Sequence, residues 1–131
     1  MEFLNVIAAA VACFATGAIW YMSLAKPWMA ASGIESDENG QPVNNAGALP
    51  YIMSFVAALM VAGMMRHVFA TSGVDTISEG VISGLGIGAF FISPWIMMNN
   101  GYQGNPFKLT LIDGGYATVG CAVIGAVLTA F

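Results

Sequence analysis

Charged side chains are scarce in this 131-residue chain. Lys and Arg number 3, Asp and Glu number 7, and together they make up 8% of the sequence, against about 25% in soluble domains. So few charges cannot cover the surface of a water-soluble domain of this size. The basic residues are only Lys26, Arg66 and Lys108, and the net charge is −4. This excludes the basic face that nucleic-acid binding requires.

Metal-binding and catalytic residue types are equally scarce. The chain has one His, His67, and two Cys, Cys13 and Cys121, which are too few for a self-contained zinc site or a disulfide framework. No phosphate-binding loop, no nucleophile with its base and no pair of catalytic carboxylates is recognisable. We therefore expect a protein without enzymatic activity, bound metal or cofactor.

Hydrophobic residues make up 58% of the chain, and their arrangement predicts an integral membrane protein. A helix needs about 20 mainly apolar residues to cross the bilayer core. The stretches that meet this requirement are 3–25, 48–69, 77–98 and 108–131. Their continuous apolar character argues against the alternating strands of a barrel. We predict an all-α membrane protein, a single domain in which four transmembrane helices form a compact bundle with both termini on the same side.

The first apolar stretch is predicted to be a retained helix rather than a signal peptide. Signal peptides begin with a basic segment, whereas here position 2 is Glu2 and the first basic residue is Lys26. The long loop, 26–47, is predicted to begin with one or two helical turns in the membrane interface that end at Gly33. Turn residues follow at Asn39, Gly40 and Pro42.

Several residues carry signals for helix ends and bends. Thr76 and Glu79 have the spacing of a capping box. Asn105 followed by Pro106 predicts an N-cap with proline at the first helical position. Pro27 disfavours continuation of the first helix through Lys26.

Pro94 lies inside the third apolar stretch, where proline removes a backbone hydrogen bond. It predicts a kink near Ser93, whose hydroxyl can satisfy the freed backbone.

Small residues at helical spacing predict close helix packing, because they let backbones approach each other. They lie in the third stretch at Gly80, Gly84 and Gly88, in the first at Ala9, Cys13 and Gly17, and in the fourth at Ala117, Cys121 and Gly125. For the third stretch, a seam between copies of the protein and packing within one chain are equally compatible with the pattern. For the other two, internal packing is favoured. Cys13 and Cys121 fall at similar depth, and ordinary small buried residues are a simpler interpretation than a redox or metal pair.

Asp113 is the one charged residue well inside an apolar stretch, and intramembrane carboxylates are candidates for function. Tyr116 follows it by about one turn, and Lys26 and Lys108 are its expected partners on the same side. The alternative is an interfacial carboxylate held by a Lys, by a Tyr or by Thr110.

The remaining polar and aromatic residues are predicted to anchor the helices at the membrane interface. Arg66 is expected to reach towards the interface and pair with Asp75 or Glu79. The aromatic anchors are Trp20, Tyr21, Trp28, Trp95 and Tyr102. Lys26 and Lys108 outnumber Arg66, so the positive-inside rule places the loops 26–47 and 99–107 in the cytoplasm and the termini outside.

Four segments of the chain resemble a known family of small bacterial membrane proteins, catalogued only as a domain of unknown function. They are Gly-Ala-Ile-Trp-Tyr-Met-Ser from Gly17, Lys-Pro-Trp-Met from Lys26, Gly-Asn-Pro-Phe-Lys-Leu from Gly104, and Ile-Asp-Gly-Gly-Tyr from Ile112. The resemblance covers nearly the whole chain and implies four helices in the bacterial cytoplasmic membrane, with no known activity. Members of that family often have Asn at the position of Asp113 and His at that of Ala117.

These observations lead to three functional hypotheses. The first is a protein that acts by helix packing, as a homo-oligomer or as an accessory subunit of a larger membrane complex. The second is a small transporter or channel that uses Asp113 and the kinked third helix, and it requires that Asp113→Asn abolish flux in proteoliposomes. The third is a protein that binds a lipid or pigment through the aromatic residues of the loop side.

Overall fold

The computed structural model describes residues 3–34 and 47–131, and within these ranges the chain is helical. The helices are α1 (Phe3–Ser23), α2 (Ala25–Ser32), α3 (Leu49–Ser72), α4 (Ile77–Ile87), α5 (Ser93–Gln103) and α6 (Phe107–Ala130). A π-helical turn at Gly88–Ile92, here called the π segment, joins α4 to α5 without interruption. Four helices are long and apolar enough to cross a membrane, namely α1, α3, the continuous Ile77–Gln103 helix and α6. This confirms the predicted all-α membrane fold.

The last helix, α6, is the centre of the molecule. It packs against α1 on one side and against α4, the π segment and α5 on the other, while α3 packs mainly against α1. The core lies where α1, α3 and α6 meet, and its largest fully buried apolar side chains are Phe69, Ile124 and Leu128. The other spans are therefore positioned by their contacts with α6, either directly or through α1.

The first helix ends earlier than the sequence predicts. It stops at Ser23 rather than at residue 25, and α2 begins immediately after Leu24. Pro27 does not break a helix here, because it lies in the first turn of α2, where no intrahelical partner exists for its missing N–H. The predicted interfacial turns ending at Gly33 are present as α2, and Gly33 closes them with φ 77°. The predicted turn at Asn39, Gly40 and Pro42 lies outside the described residues.

The third span is longer than predicted, and the third loop is correspondingly short. The helix continues to Gln103 rather than ending at Met98. Asn105 is not the N-cap of α6, because Pro106 occupies that position with extended backbone angles and no side-chain cap. The Asn105 side chain instead donates to Asn100 Oδ1 at 3.2 Å and Gln103 Oε1 at 3.1 Å.

The opposite end of this span begins as the sequence predicts. The Thr76 hydroxyl accepts a hydrogen bond from the Glu79 amide, and the Glu79 carboxylate accepts one from the Thr76 amide. This is a complete capping box, which satisfies donors at the start of α4. The carboxylate of Glu79, one of the two expected partners of Arg66, takes part in this capping box.

The predicted disturbance near Pro94 takes the form of the π segment. The Ser93 amide reaches back to Gly88 O, five residues away, instead of four as in an α-helix. The Ser93 hydroxyl has one proton to donate and lies 2.7 Å from the same oxygen and 2.9 Å from Gly114 O of α6. Gly88 O already accepts from the Ser93 amide, so the expected role of the hydroxyl towards the backbone freed by Pro94 stays a prediction. The hydroxyl also connects the third span to α6.

Candidate site at the α1, α2 and α6 junction

The glycine face of the third span lies against α6 of the same chain. A Cβ added at Gly80 would meet the backbone of Gly125, and one added at Gly84 would meet that of Cys121. At Gly88 the obstacle is the backbone of Ala117 and Thr118. The predicted small residues of the third and fourth helices thus pack on each other, which selects internal packing over a seam between copies for this face.

The small residues of α1 pack on the opposite face of α6. Gly17 leaves room for Tyr116, since a Cβ at Gly17 would lie 2.7 Å from the Tyr116 hydroxyl oxygen. Ala9 is fully buried and Cys13 is buried in the same core cluster as Cys121. Both thiols are free. Tyr116 Oη donates to Cys13 O at 2.9 Å and lies 3.3 Å from Cys13 Sγ.

Asp113 is held by a tyrosine rather than by lysine. Tyr21 Oη donates to Asp113 Oδ1 at 2.7 Å, and the Trp28 indole of α2 lies close to the same carboxyl group. Among the described residues neither Lys26 nor Lys108 pairs with Asp113, and both are exposed. Of the sequence alternatives, the carboxylate held by a tyrosine is the one observed, with Tyr21 rather than Tyr116 as the donor.

The aromatic side chains form a continuous group around this carboxylate. The Tyr21 ring contacts the Trp28 ring edge-to-face, with centroids 6.0 Å apart, and the Tyr116 ring in the same way at 5.4 Å. Trp20 lies against Gly115, and its Nε1 donates to Ile112 O at 2.9 Å. We call the group Asp113, Tyr21 and Trp28 the carboxylate cluster.

The three tryptophans lie at one level along the helix axes. The Trp20 indole bonds Ile112 O of α6, the Trp28 indole lies close to Asp113, and Ser93, two residues before Trp95, bonds to Gly114. Tryptophans at a common level are typical of a membrane interface. Asp113 lies at this level rather than deep inside the span, because α6 begins about 9 Å further out at 1.5 Å per residue.

Comparison with known protein families identifies the family to which this chain belongs. The family model described as "Protein of unknown function (DUF1761)" matches residues 4–129. The chain belongs to this family. Comparisons with curated proteins and with solved structures each gave no match.

The structure of this DUF1761 protein also contains buried polar groups that the sequence reading missed. Asn5 is 1% exposed, and its amide donates to Leu128 O at 3.1 Å and Phe131 O at 3.2 Å at the end of α6. At the other end of the molecule, Asn100 donates to Thr110 Oγ1 at 3.1 Å between α5 and α6. An isolated Asn in an apolar run was the available signal for Asn5, since such a residue needs a buried partner.

The other predicted anchors of the DUF1761 protein differ in their surroundings. Tyr102 and Trp95 are 89% and 65% exposed on α5. The Arg66 guanidinium lies over the Phe3 ring, 5.1 Å from its centroid. Arg66 therefore connects α3 to the start of α1 through a cation–π contact.

Proposed function

We propose that the protein acts without enzymatic activity, by association with a second copy of itself through the outer face of its third span. One observation carries the proposal: among the described residues the continuous Ile77–Gln103 helix packs mainly on α6, and only 11% of its most apolar 18-residue window is buried. The corresponding shares are 22% for α3, 33% for α1 and 39% for α6. The third span thus has the smallest buried share among the four spans of the described residues.

The composition of this outer face supports a protein contact. Phe90, Phe91 and Trp95 are 78%, 73% and 65% exposed. Aromatic side chains and Met are enriched where proteins meet, and beyond Trp95 an open depression on α5 is lined by Met97, Met98 and Tyr102. The glycine face is occupied by α6, so association would use this aromatic face instead.

Site-specific crosslinking in native membranes tests the association. Phe91→Cys places a thiol on the aromatic face, and Met60→Cys, on the outer face of α3 where Met60 is 71% exposed, is the matched control. The two native thiols are buried, so they are expected to react little with the crosslinker. With a membrane-permeant bismaleimide, Phe91→Cys is expected to yield a dimer and Met60→Cys a monomer.

The other outcomes separate the remaining possibilities. A crosslink from Phe91→Cys to one different protein would instead indicate an accessory subunit of a larger membrane complex. Monomer alone from both variants would mean that lipid covers this face, and the association proposal would fail.

We also propose that the protein resides in the bacterial cytoplasmic membrane with the loops on the cytoplasmic side and both termini outside. Lys26 and Lys108 lie at the loop end of the molecule and are exposed, whereas Arg66 lies towards the other end. The excess of Lys at the loop end supports this orientation through the positive-inside rule.

A transport role for Asp113 has less support from the geometry. The carboxylate lies at the level of the tryptophans, and close glycine contacts fill the space between α4 and α6. Association therefore stands ahead of transport.

A further inference from the structure

The carboxylate cluster contains a half-buried acidic side chain with no basic partner among the described residues. Asp113 accepts a hydrogen bond from the neutral Tyr21 hydroxyl, and the neutral Trp28 indole lies close to it. A carboxylate has room for about four hydrogen bonds, and a partly buried carboxylate is stabilised by an opposite charge. The arrangement therefore favours a cation from outside the chain as a partner.

The surrounding rings define which cation fits. Tyr21 stands between Trp28 and Tyr116, with interplanar angles of 78° and 75°. Rings at such angles turn both faces and edges to their surroundings, and a ring face within about 6 Å attracts an ammonium group. A hard divalent metal requires several oxygen ligands, and the described residues contain no group of three or more His, Cys, Asp or Glu.

We propose that the carboxylate cluster binds an ammonium group, of the kind carried by phosphatidylethanolamine or by a small soluble amine. Asp113 supplies the opposite charge and a hydrogen-bond acceptor, while Tyr21 and Trp28 supply an aromatic wall. This site is separate from the aromatic face of the third span. The test of ammonium binding is therefore independent of the test of the proposed association.

Two features favour the lipid as the source of the ammonium. The cluster lies at the level of Trp20, Trp28 and Trp95, where headgroups meet the hydrocarbon core. An open, mainly apolar groove of about 460 Å³ on the surface of α1 is lined by Thr16, Ile19, Trp20, Ser23 and Leu24. Trp20 connects this groove to the surroundings of the carboxylate cluster, since its indole bonds the carbonyl oxygen of Ile112, the residue before Asp113. The groove is therefore the apolar surface that we expect to receive the acyl chain.

Native mass spectrometry of the full chain in mild detergent tests the site. Dioleoyl phosphatidylethanolamine and dioleoyl phosphatidylglycerol have the same acyl chains, and only the first carries an ammonium group. The wild-type protein is expected to retain the first lipid with about tenfold preference, which corresponds to about 1.4 kcal/mol. Asp113→Asn is expected to abolish the preference, because the amide keeps an acceptor for Tyr21 but loses the charge.

A further variant separates charge from folding. Asp75→Asn makes the same chemical change at an exposed position near the other end of the molecule and is expected to keep the preference. Equal binding of both lipids by the wild type, or an unchanged preference in Asp113→Asn, would overturn the proposal.

Soluble ethanolamine distinguishes the two sources of the ammonium. If millimolar ethanolamine displaces the lipid, the charged amine alone is sufficient and soluble amines are ligands of the site. If it does not, the acyl chain contributes and the ligand is the lipid. Both results support ammonium recognition and differ only in its source.

Discussion

At the scale of single residues, the structure distinguishes glycines that the sequence makes equivalent. Gly84 and Gly86 lie on the same helix, two positions apart. A Cβ at Gly84 would collide with the backbone of Cys121 and Ala122, whereas a Cβ at Gly86 would meet nothing within 4 Å. The spacing identified Gly80, Gly84 and Gly88 as a packing face, but it did not show which helix would cover them.

Gly84→Ala is expected to destabilise the protein by about 1–3 kcal/mol, the usual cost of overpacking a close contact. Backbone atoms of α6 form the obstacle and cannot rotate away. Gly86→Ala is the matched control and is expected to be neutral or slightly stabilising, since alanine favours helix. Unfolding titrations in mixed micelles give both values, and equal stability of the two variants would contradict the close α4–α6 contact.

At the scale of elements, one predicted helix start formed and another did not. The capping box at Thr76 formed as predicted because it requires only local groups. The predicted cap at Asn105 did not form, because the Asn105 side chain donates to Asn100 and Gln103 of the preceding helix and is not available to α6. The end of α1 at Ser23 and the extension of α5 to Gln103 also differ from the predicted bounds.

Ser93→Ala tests whether the hydroxyl stabilises the π segment and its contact with α6. It removes the hydroxyl that contacts Gly88 O and Gly114 O, and a hydrogen bond between membrane helices contributes about 0.6 kcal/mol on average. The expected loss is about 0.6 kcal/mol, with faster amide hydrogen exchange at Ile92 and Ser93. Ser78→Ala, at an exposed position of the same span, is expected to change neither, and an identical response of both variants would refute this role.

At the scale of the whole molecule, one consequence of the fold is a short helical hairpin beyond the tryptophan level. From Trp95 to Gln103, α5 continues for about 12 Å, and the first turns of α6 run beside it. Asn100 and Thr110 join the two helices there. The remaining part of α6, from Asp113 to Ala130, is about 26 Å long, close to the roughly 30 Å thickness of the hydrocarbon core.

The proposed orientation is tested by labelling introduced thiols with a membrane-impermeant maleimide in intact cells. Gln103→Cys lies at the tip of the hairpin and Ser72→Cys at the opposite end, and both positions are exposed. Ser72→Cys is expected to react in cells whose outer membrane is permeable, and Gln103→Cys only after the cytoplasmic membrane is opened. The reverse pattern would place the loops outside and contradict the proposed orientation.

The sequence alone determined that four apolar helices form this protein, because lipid provides no partner for backbone groups and each span must satisfy its own. It also determined the small-residue faces and the conspicuous carboxylate, since both are properties of local composition. Only the tertiary structure decided that α6 covers the glycine face and that Tyr21, rather than Lys26 or Lys108, holds Asp113. Those choices depend on how helices distant in sequence meet, and spacing within one helix does not contain that information. The scarcity of charged residues therefore has a structural consequence at one position, because Asp113 has no oppositely charged partner among the described residues.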